Sequence, residues 1–256
     1  MVEIRDLGLV MDDRALLSGV SLTFNDGEVV GILGRGGSGK TLLLQTIAGM
    51  HRSFAGEIYV GKRPLRSLSR RELGREVTFH ADSPMNGDET VREFIRLARV
   101  PFKKLLNPLT GYDLQIVDEC ISLLELGEVA DMTLSVLPGS FARRALLAFN
   151  LARGTGLLLL DDPTAGLDLR SLALLQKAVS RYALGGKNIA VIASNDLNFI
   201  AQTADRIVVM EGGSVAAEGG PDIIDVDMVK RFFGLDAFVS KNVYNGKPNV
   251  HFFPEN

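Results

Sequence analysis

Gly34-Arg35-Gly36-Gly37-Ser38-Gly39-Lys40-Thr41 is the stretch that decides the fold. It has the spacing G-x-x-x-x-G-K-[ST], and its flanks supply the context that this spacing needs. Ahead of it, Val29-Val30-Gly31-Ile32-Leu33 reads as a buried strand. Behind it, Leu42-Leu43-Leu44 and Ile47-Ala48-Gly49 read as a buried helix that ends at a glycine. Glycines let backbone N–H groups turn toward phosphate oxygens with no side chain in the way. The start of the helix adds positive potential. Lys40 is placed to reach the β- and γ-phosphates of a nucleotide, and Thr41 to offer its hydroxyl to Mg²⁺. The eight residues Gly34, Arg35, Gly36, Gly37, Ser38, Gly39, Lys40 and Thr41 are therefore the candidate binding loop, with ATP and Mg²⁺ as the implied cofactors.

A second element of the same chemistry lies far downstream. Leu157-Leu158-Leu159-Leu160-Asp161 reads as a buried strand ending in a carboxylate. Alone, such an aspartate could be a helix cap; beside a phosphate loop it is a candidate for holding Mg²⁺ through water.

The rest of the chain fits around these two segments. Residues 1 to 32 read as strands, with Val20, Leu22 and Phe24 alternating with polar neighbours and Asn25-Asp26-Gly27 as a turn. Residues 88 to 152 read as all-helical. Thr90 and Glu93 form a capping-box pair, Leu114, Val117, Ile121 and Leu124 fall at helical spacing with Gly127 as the stop, and Phe141 to Ala152 is a third helix. Strand and helix then alternate again, with strands over Ile189 to Ala193 and Ile207 to Met210. The tail from Lys230 carries Phe232, Phe233, Phe238, Phe252 and Phe253, so part of it is expected to pack on the body.

Composition narrows the function classes. An apolar share of 46 % supplies a sizeable core for a single domain of 256 residues. A net charge of −3, from 28 basic and 31 acidic residues, argues against nucleic acid as a partner. Cys120 is the single cysteine, so no intramolecular disulfide forms, which suits the cytosol. The most apolar stretch, Ala145 to Leu160, is interrupted by Asn150, Arg153 and two glycines, and is too short to cross a bilayer. The first residues lack a signal-peptide layout. A role at a membrane would need another subunit as anchor.

Two further segments carry a family resemblance. Asp162-Pro163-Thr164-Ala165-Gly166-Leu167-Asp168 resembles the EPTAGLD run, and Ala204-Asp205-Arg206-Ile207-Val208-Val209-Met210-Glu211-Gly212-Gly213 resembles the ADRIVVLxxG strand, of ABC transporter nucleotide-binding domains. The likeness spans nearly the whole chain, 1–256. It implies an α/β fold with a P-loop (RecA-like) core, an N-terminal antiparallel β-subdomain, an inserted helical subdomain over about 88–152 and a C-terminal extension over about 228–256. It also implies head-to-tail dimers, in which each ATP lies between one subunit's phosphate loop and the other's LSGGQ signature.

Measured against that family, several positions depart. The signature aligns with Leu137-Pro138-Gly139-Ser140-Phe141, where only Leu137 and Gly139 match. Pro138 replaces a hydroxyl and lacks a backbone N–H, unless it is simply a tolerated first helical residue. Ser140 is a candidate substitute donor. The catalytic base, normally Glu, is Asp162, shorter by one methylene. The switch histidine is Asn195, which donates a hydrogen bond but carries no charge. The Q-loop glutamine, a family ligand near the metal, aligns with Asp82, with His80 two residues away as the alternative. The aromatic that stacks on adenine aligns with Met11, which can still pack on a base. Phosphoryl transfer depends mainly on positioning and electrostatics, so binding is expected to survive these changes better than hydrolysis.

Val229-Lys230-Arg231-Phe232-Phe233-Gly234, Gly246-Lys247-Pro248-Asn249-Val250 and the helix from Asp113 to Leu126 resemble the corresponding parts of ATPases in iron–siderophore, haem and cobalamin importers. The expected function is an ATPase subunit bound peripherally to permease subunits at the cytoplasmic face of the cell membrane, with a second ATP-binding subunit as partner, favoured as a homodimer. The rival is an ATP-binding regulatory or structural subunit that hydrolyses little.

Overall fold

Along each central strand, successive residues feed two different cores. Val29, Leu33, Leu158, Leu160, Ala190, Ile192, Ile207 and Val209 point into one; Val30, Ile32, Leu157, Leu159, Ile189, Val191 and Val208 point into the other. This is the side-chain alternation of a strand buried on both faces, and it explains why these segments read as unbroken apolar runs. A computed structural model describes residues 1–81, 87–102 and 108–253. The chain begins β1 (Val2–Met11), β2 (Arg14–Phe24), β3 (Val29–Leu33), α1 (Lys40–Ile47), β4 (Ala55–Val60), β5 (Arg63–Pro64), α2 (Arg70–Glu76) and β6 (Val77–His80). Helices α3 (Val91–Leu97), α4 (Gly111–Leu123) and α5 (Gly139–Ala152) follow. The remainder is β7 (Leu157–Asp161), α6 (Leu169–Ala183), β8 (Ile189–Ala193), α7 (Leu197–Thr203), β9 (Arg206–Glu211), β10 (Ser214–Gly219), α8 (Val226–Phe233), β11 (Ala237–Lys241) and β12 (Pro248–Phe252).

The central sheet has the order β10-β9-β3-β8-β7-β6, parallel except for β10. A four-stranded antiparallel sheet, β2-β1-β4-β5, shares one of the two cores with α1; Leu43, Leu44 and Ile47 of that helix are fully buried there. Helices α3, α4 and α5 share the other core with α6, α7 and α8. A ring stack of Phe94 on Phe149, 4.7 Å between centroids, joins α3 to α5. Arg99 ties the helices to one another: its Nε donates to Asp113 Oδ1 at 2.9 Å and its Nη1 to the carbonyls of Ala152 and Arg153. Both partners of this ion pair are buried, so each satisfies a charge that would otherwise be stranded.

Three local expectations change. The capping box at Thr90 and Glu93 is present, but α4 does not stop at Gly127. It stops at Glu125, which takes the left-handed conformation (φ 52°) while Leu126 N–H returns to the Ile121 carbonyl at 2.9 Å. That is a Schellman closure, and the Glu125 carboxylate is held by Arg170. Helix α5 starts at Gly139 rather than Phe141, and Pro138 is its N-cap, not its first helical residue; the Pro138 carbonyl accepts from Phe141 and Ala142. The β1–β2 turn at Asp12-Asp13 went unread in the sequence, although both residues sit at positive φ as a two-residue hairpin turn requires. Of the tail aromatics, Phe232 is buried, whereas Phe238, Phe252 and Phe253 stay exposed.

Candidate nucleotide site

The site forms where three parallel strands end side by side. β3 runs into the loop Gly34–Gly39, β7 ends in Asp161 and β8 ends just before Ser194, which is the crevice where open α/β sheets bind ligands. The loop's backbone needs its glycines. Gly34 (φ 154°), Gly37 (φ 79°) and Gly39 (φ 99°, the N-cap of α1) all occupy positive φ. A Cβ on Gly34 would lie 2.4 Å from the Met210 carbonyl oxygen, and one on Gly39 2.9 Å from Leu17 Cδ2. The loop is thus wedged between the end of β9 and the start of β2.

Lys40 folds back over this loop. Its Nζ donates to the carbonyls of Gly34 (2.6 Å) and Arg35 (3.1 Å) and approaches Ser38 Oγ at 3.5 Å. Burial lowers its pKa; the charges of Asp161 and Asp162 oppose that shift. Thr41 Oγ1 donates to Asp161 Oδ1 at 3.0 Å. Burial raises the Asp161 pKa, with the Thr41 hydrogen bond acting against it and the neighbouring Asp162 charge adding to it. A cleft is lined by Gly36, Gly37, Ser38, Gly39, Lys40, Thr41, Leu42, Asp161, Asp162, Ala193, Ser194 and Asn195. The cleft thus brings together Gly36 to Thr41 of the loop, the strand-ending Asp161, Asp162 and Asn195.

Asp82 falls outside the described residues. Met11 stands at the exposed tip of the β1–β2 hairpin, and Gly139 and Ser140 begin α5; none of the three lines the cleft. His80 is buried beneath α5, its Nδ1 2.8 Å from Asn150 Nδ2. Phe141 takes the Arg144 guanidinium over its ring at 4.2 Å.

Sequence reasoning passed over Ser194. Its Oγ donates to Asp162 Oδ1 at 3.4 Å, lies 3.2 Å from Thr164 Oγ1 and accepts from Asp196 N–H at 3.1 Å. Asp162 itself is left-handed (φ 45°), a conformation that aspartate tolerates better than glutamate. Arg143 was also missed: its Nη1 donates to the Gly166 carbonyl at 2.6 Å, linking α5 to the segment after Asp162. The only sequence signal for either is adjacency, Ser194 to Asn195 and Arg143 to the signature.

The residues present fit a magnesium nucleotide. A hydroxyl and a carboxylate offer the hard oxygen donors that Mg²⁺ takes, and the Lys40 ammonium sits among the carbonyls of a loop whose Gly36 and Gly37 have open space where a Cβ would stand. Comparison with known proteins agrees with this chemistry. The ABC transporter family profile matches residues 17–165, more than half of the chain. The chain is 33 % identical to the hemin import ATP-binding protein HmuV of Bradyrhizobium diazoefficiens, over 93 % of this chain and 90 % of that one. It is 27 % identical to the iron(3+)-hydroxamate import ATP-binding protein FhuC of Bacillus subtilis, over 94 % and 91 %. Among solved structures, the ATP-binding subunit of an ABC transporter superposes with a TM-score of 0.76 at 20 % identity, covering 91 % of this chain and 93 % of that one. A dimeric ATP-binding cassette bound to ADP and Pi superposes at 0.74 with 24 % identity, covering 86 % and 98 %. With its phosphate loop, strand-ending acid and central sheet all in that family's arrangement, the chain belongs to the ABC transporter family as an ATP-binding subunit.

Proposed function

We propose that the chain binds MgATP and energises an importer of an iron chelate, haem or cobalamin. The observation that carries the nucleotide reading is the cradle itself: Lys40 folded onto the Gly34 and Arg35 carbonyls, with the Thr41–Asp161 pair beside it. In this reading Gly36 to Thr41 hold the phosphates, Thr41 and Asp161 hold Mg²⁺ with Asp82 as a further ligand, and Met11 packs on the base. Bound Mg²⁺ supplies neutralisation of the charge that develops on the phosphoryl oxygens. Asp162 orients and deprotonates the attacking water, and Asn195 donates to the γ-phosphate. Gly139 and Ser140 serve the partner's nucleotide across a head-to-tail homodimer. In this reading the chain works at the cytoplasmic face through permease subunits; among the described residues no helix is long and apolar enough to cross a membrane.

The substrate class is supported by what the relatives are named for: hydroxamate and petrobactin import in Bacillus, hemin import in Bradyrhizobium and Rhodopseudomonas. Co-purification from membranes tests it. Recovery with a many-helix permease that takes up metal chelates is the expected result; recovery with a lipid, peptide or amino-acid permease overturns it. A second reading, a regulatory subunit with little hydrolysis, is favoured by one feature, the short left-handed Asp162 beside Asn195 instead of a histidine. Phosphate release by the permease complex at a rate typical of the family would refute that second reading.

A further inference from the structure

The C-terminal hairpin β11–β12 does not merely cover the body; it is fastened along the whole of α7. At the first turn of that helix, Asn198 grips the Val250 peptide from both sides: its Nδ2 donates to the Val250 carbonyl at 2.9 Å, and the Val250 N–H donates to Asn198 Oδ1 at 2.7 Å. At the last turn, Gln202 Nε2 donates to the Pro248 carbonyl at 2.8 Å, and the side chains of Asn242 and Asn245 both donate to Gln202 Oε1. Lys247 Nζ then closes the end of the helix on the carbonyls of Gln202 (3.1 Å) and Ala204 (3.0 Å). Val250 is buried against the same core.

Helix α7 in turn begins beside the nucleotide cleft. Its N-cap is Asp196, whose Oδ1 accepts from Phe199 N–H, and the residue before that cap is Asn195 in the cleft wall. The helix lies so close to β3 that a Cβ on Gly31 would stand 2.4 Å from Ile200 Cγ2. The segment Ser194-Asn195-Asp196 thus has little freedom of its own while α7 is held. The other end of the extension also meets the site: Gly234, left-handed after α8, lies so close to Arg35 of the phosphate loop that a Cβ there would fall 2.5 Å from Arg35 Nη2.

We propose that the C-terminal hairpin is a positioning element of the nucleotide site, acting through Asn198 and α7 to hold Asn195 where the γ-phosphate arrives. The inference rests on the role given above to Asn195. Coupling is reciprocal, so a ligand that engages Asn195 must tighten the hairpin, and a loosened hairpin must weaken that engagement. ADP, which lacks the γ-phosphate, has no such hold.

Hydrogen exchange on the full chain, with Mg²⁺ and saturating AMP-PNP or ADP, tests this directly. AMP-PNP is expected to slow exchange over residues 194–196 and 247–252 by about fivefold or more relative to ADP. In Asn198→Leu that difference should vanish at 194–196, and kcat should fall about tenfold while KM for ATP stays within about twofold, because the phosphate loop is untouched. Lys247→Met, at the far end of α7, should shift both readouts the same way by less, and it carries the comparison if Asn198→Leu does not fold. Equal protection of the hairpin by AMP-PNP and ADP overturns the proposal. So does an Asn198→Leu protein whose hairpin exchanges faster while 194–196 and kcat stay as in the wild type. An Asn195→Ala protein that keeps the AMP-PNP-specific protection overturns the role of Asn195 and this inference with it. If Asn195→Ala loses that protection while Asn198→Leu keeps it, the inference alone falls.

Discussion

Replacing Asp162 by glutamate isolates the position on which hydrolysis is expected to turn. Asp162 follows β7 directly, its N–H fixed on the Ala193 carbonyl at 2.8 Å and its Oδ1 approached by Ser194 Oγ at 3.4 Å. The backbone therefore cannot slide forward to make good a short side chain. Asp162→Glu adds about an ångström of reach, and misplacement on that scale costs on the order of a hundredfold in rate. Opposing this is the left-handed backbone at φ 45°, where glutamate is disfavoured against aspartate by about 1 kcal/mol or less. For a domain of this size that cost lowers Tm by about 2–4 °C. The expected result is a rise in steady-state phosphate release of about ten- to a hundredfold in the permease complex, with KM for ATP unchanged and a slightly lower Tm. An unchanged rate in a protein that still binds MgATP would refute the positioning argument. It would move the defect to Asn195, tested by Asn195→His, or to the Pro138 signature.

Lys40→Ala should weaken binding of a fluorescent ATP analogue by about ten- to a hundredfold, the value of one charged hydrogen-bonding partner, without loss of fold; equal titrations would remove the cradle reading. Arg99→Met leaves Asp113 buried without its cation and should cost about 3–5 kcal/mol in thermal or urea denaturation. The Asp113 carboxyl is held below its usual range, first by the Thr110 hydroxyl and further by Arg99. A depressed folded-state pKa gives stability that is present above the unfolded value, near 4, and lost as pH falls through the folded value, so wild type and Arg99→Met should converge in stability on acidification below about pH 4. Gly31→Val forces a side chain into Ile200 and should cost about 1–3 kcal/mol by overpacking, with a loss of MgATP affinity because β3 carries the phosphate loop.

What could be read from the sequence divides along a physical line. The loop Gly34–Thr41, the strand ending at Asp161 and the strands Ile189–Ala193 and Arg206–Glu211 were legible because each is specified locally, by glycines at positive φ or by apolar runs buried on both faces. Some features that went unread involve partners distant in sequence. Glu125 ends α4 with its carboxylate tied to Arg170, 45 residues on. Ser194 matters because Asp162 lies across β7 and β8, a relation that exists only once the strands pair as Asp161 opposite Ala193. The fastening of the tail to α7 was invisible for the same reason: Asn198 and Val250 are 52 residues apart, and nothing in either local stretch announces the other.

The intact and the altered positions also differ in kind. Phosphate binding in this fold is largely the work of backbone N–H groups, and that geometry is enforced here by close contacts at Gly34 and Gly39 that tolerate no side chain. In the proposed reading hydrolysis turns on side-chain atoms at Asp162 and Asn195, where reach and protonation would decide the outcome. In the proposed reading the cleft keeps the part of the machinery that the fold must preserve to remain packed, and the proposed departures fall where a change has little effect on packing. Ser194 marks the boundary between the two. It is buried, and it bridges Thr164, the short Asp162 carboxylate and the cap of α7. A protein whose proposed task is to close on ATP and signal that closure to a permease needs the binding geometry at every cycle, whereas the rate of the chemical step sets only how long the closed state lasts.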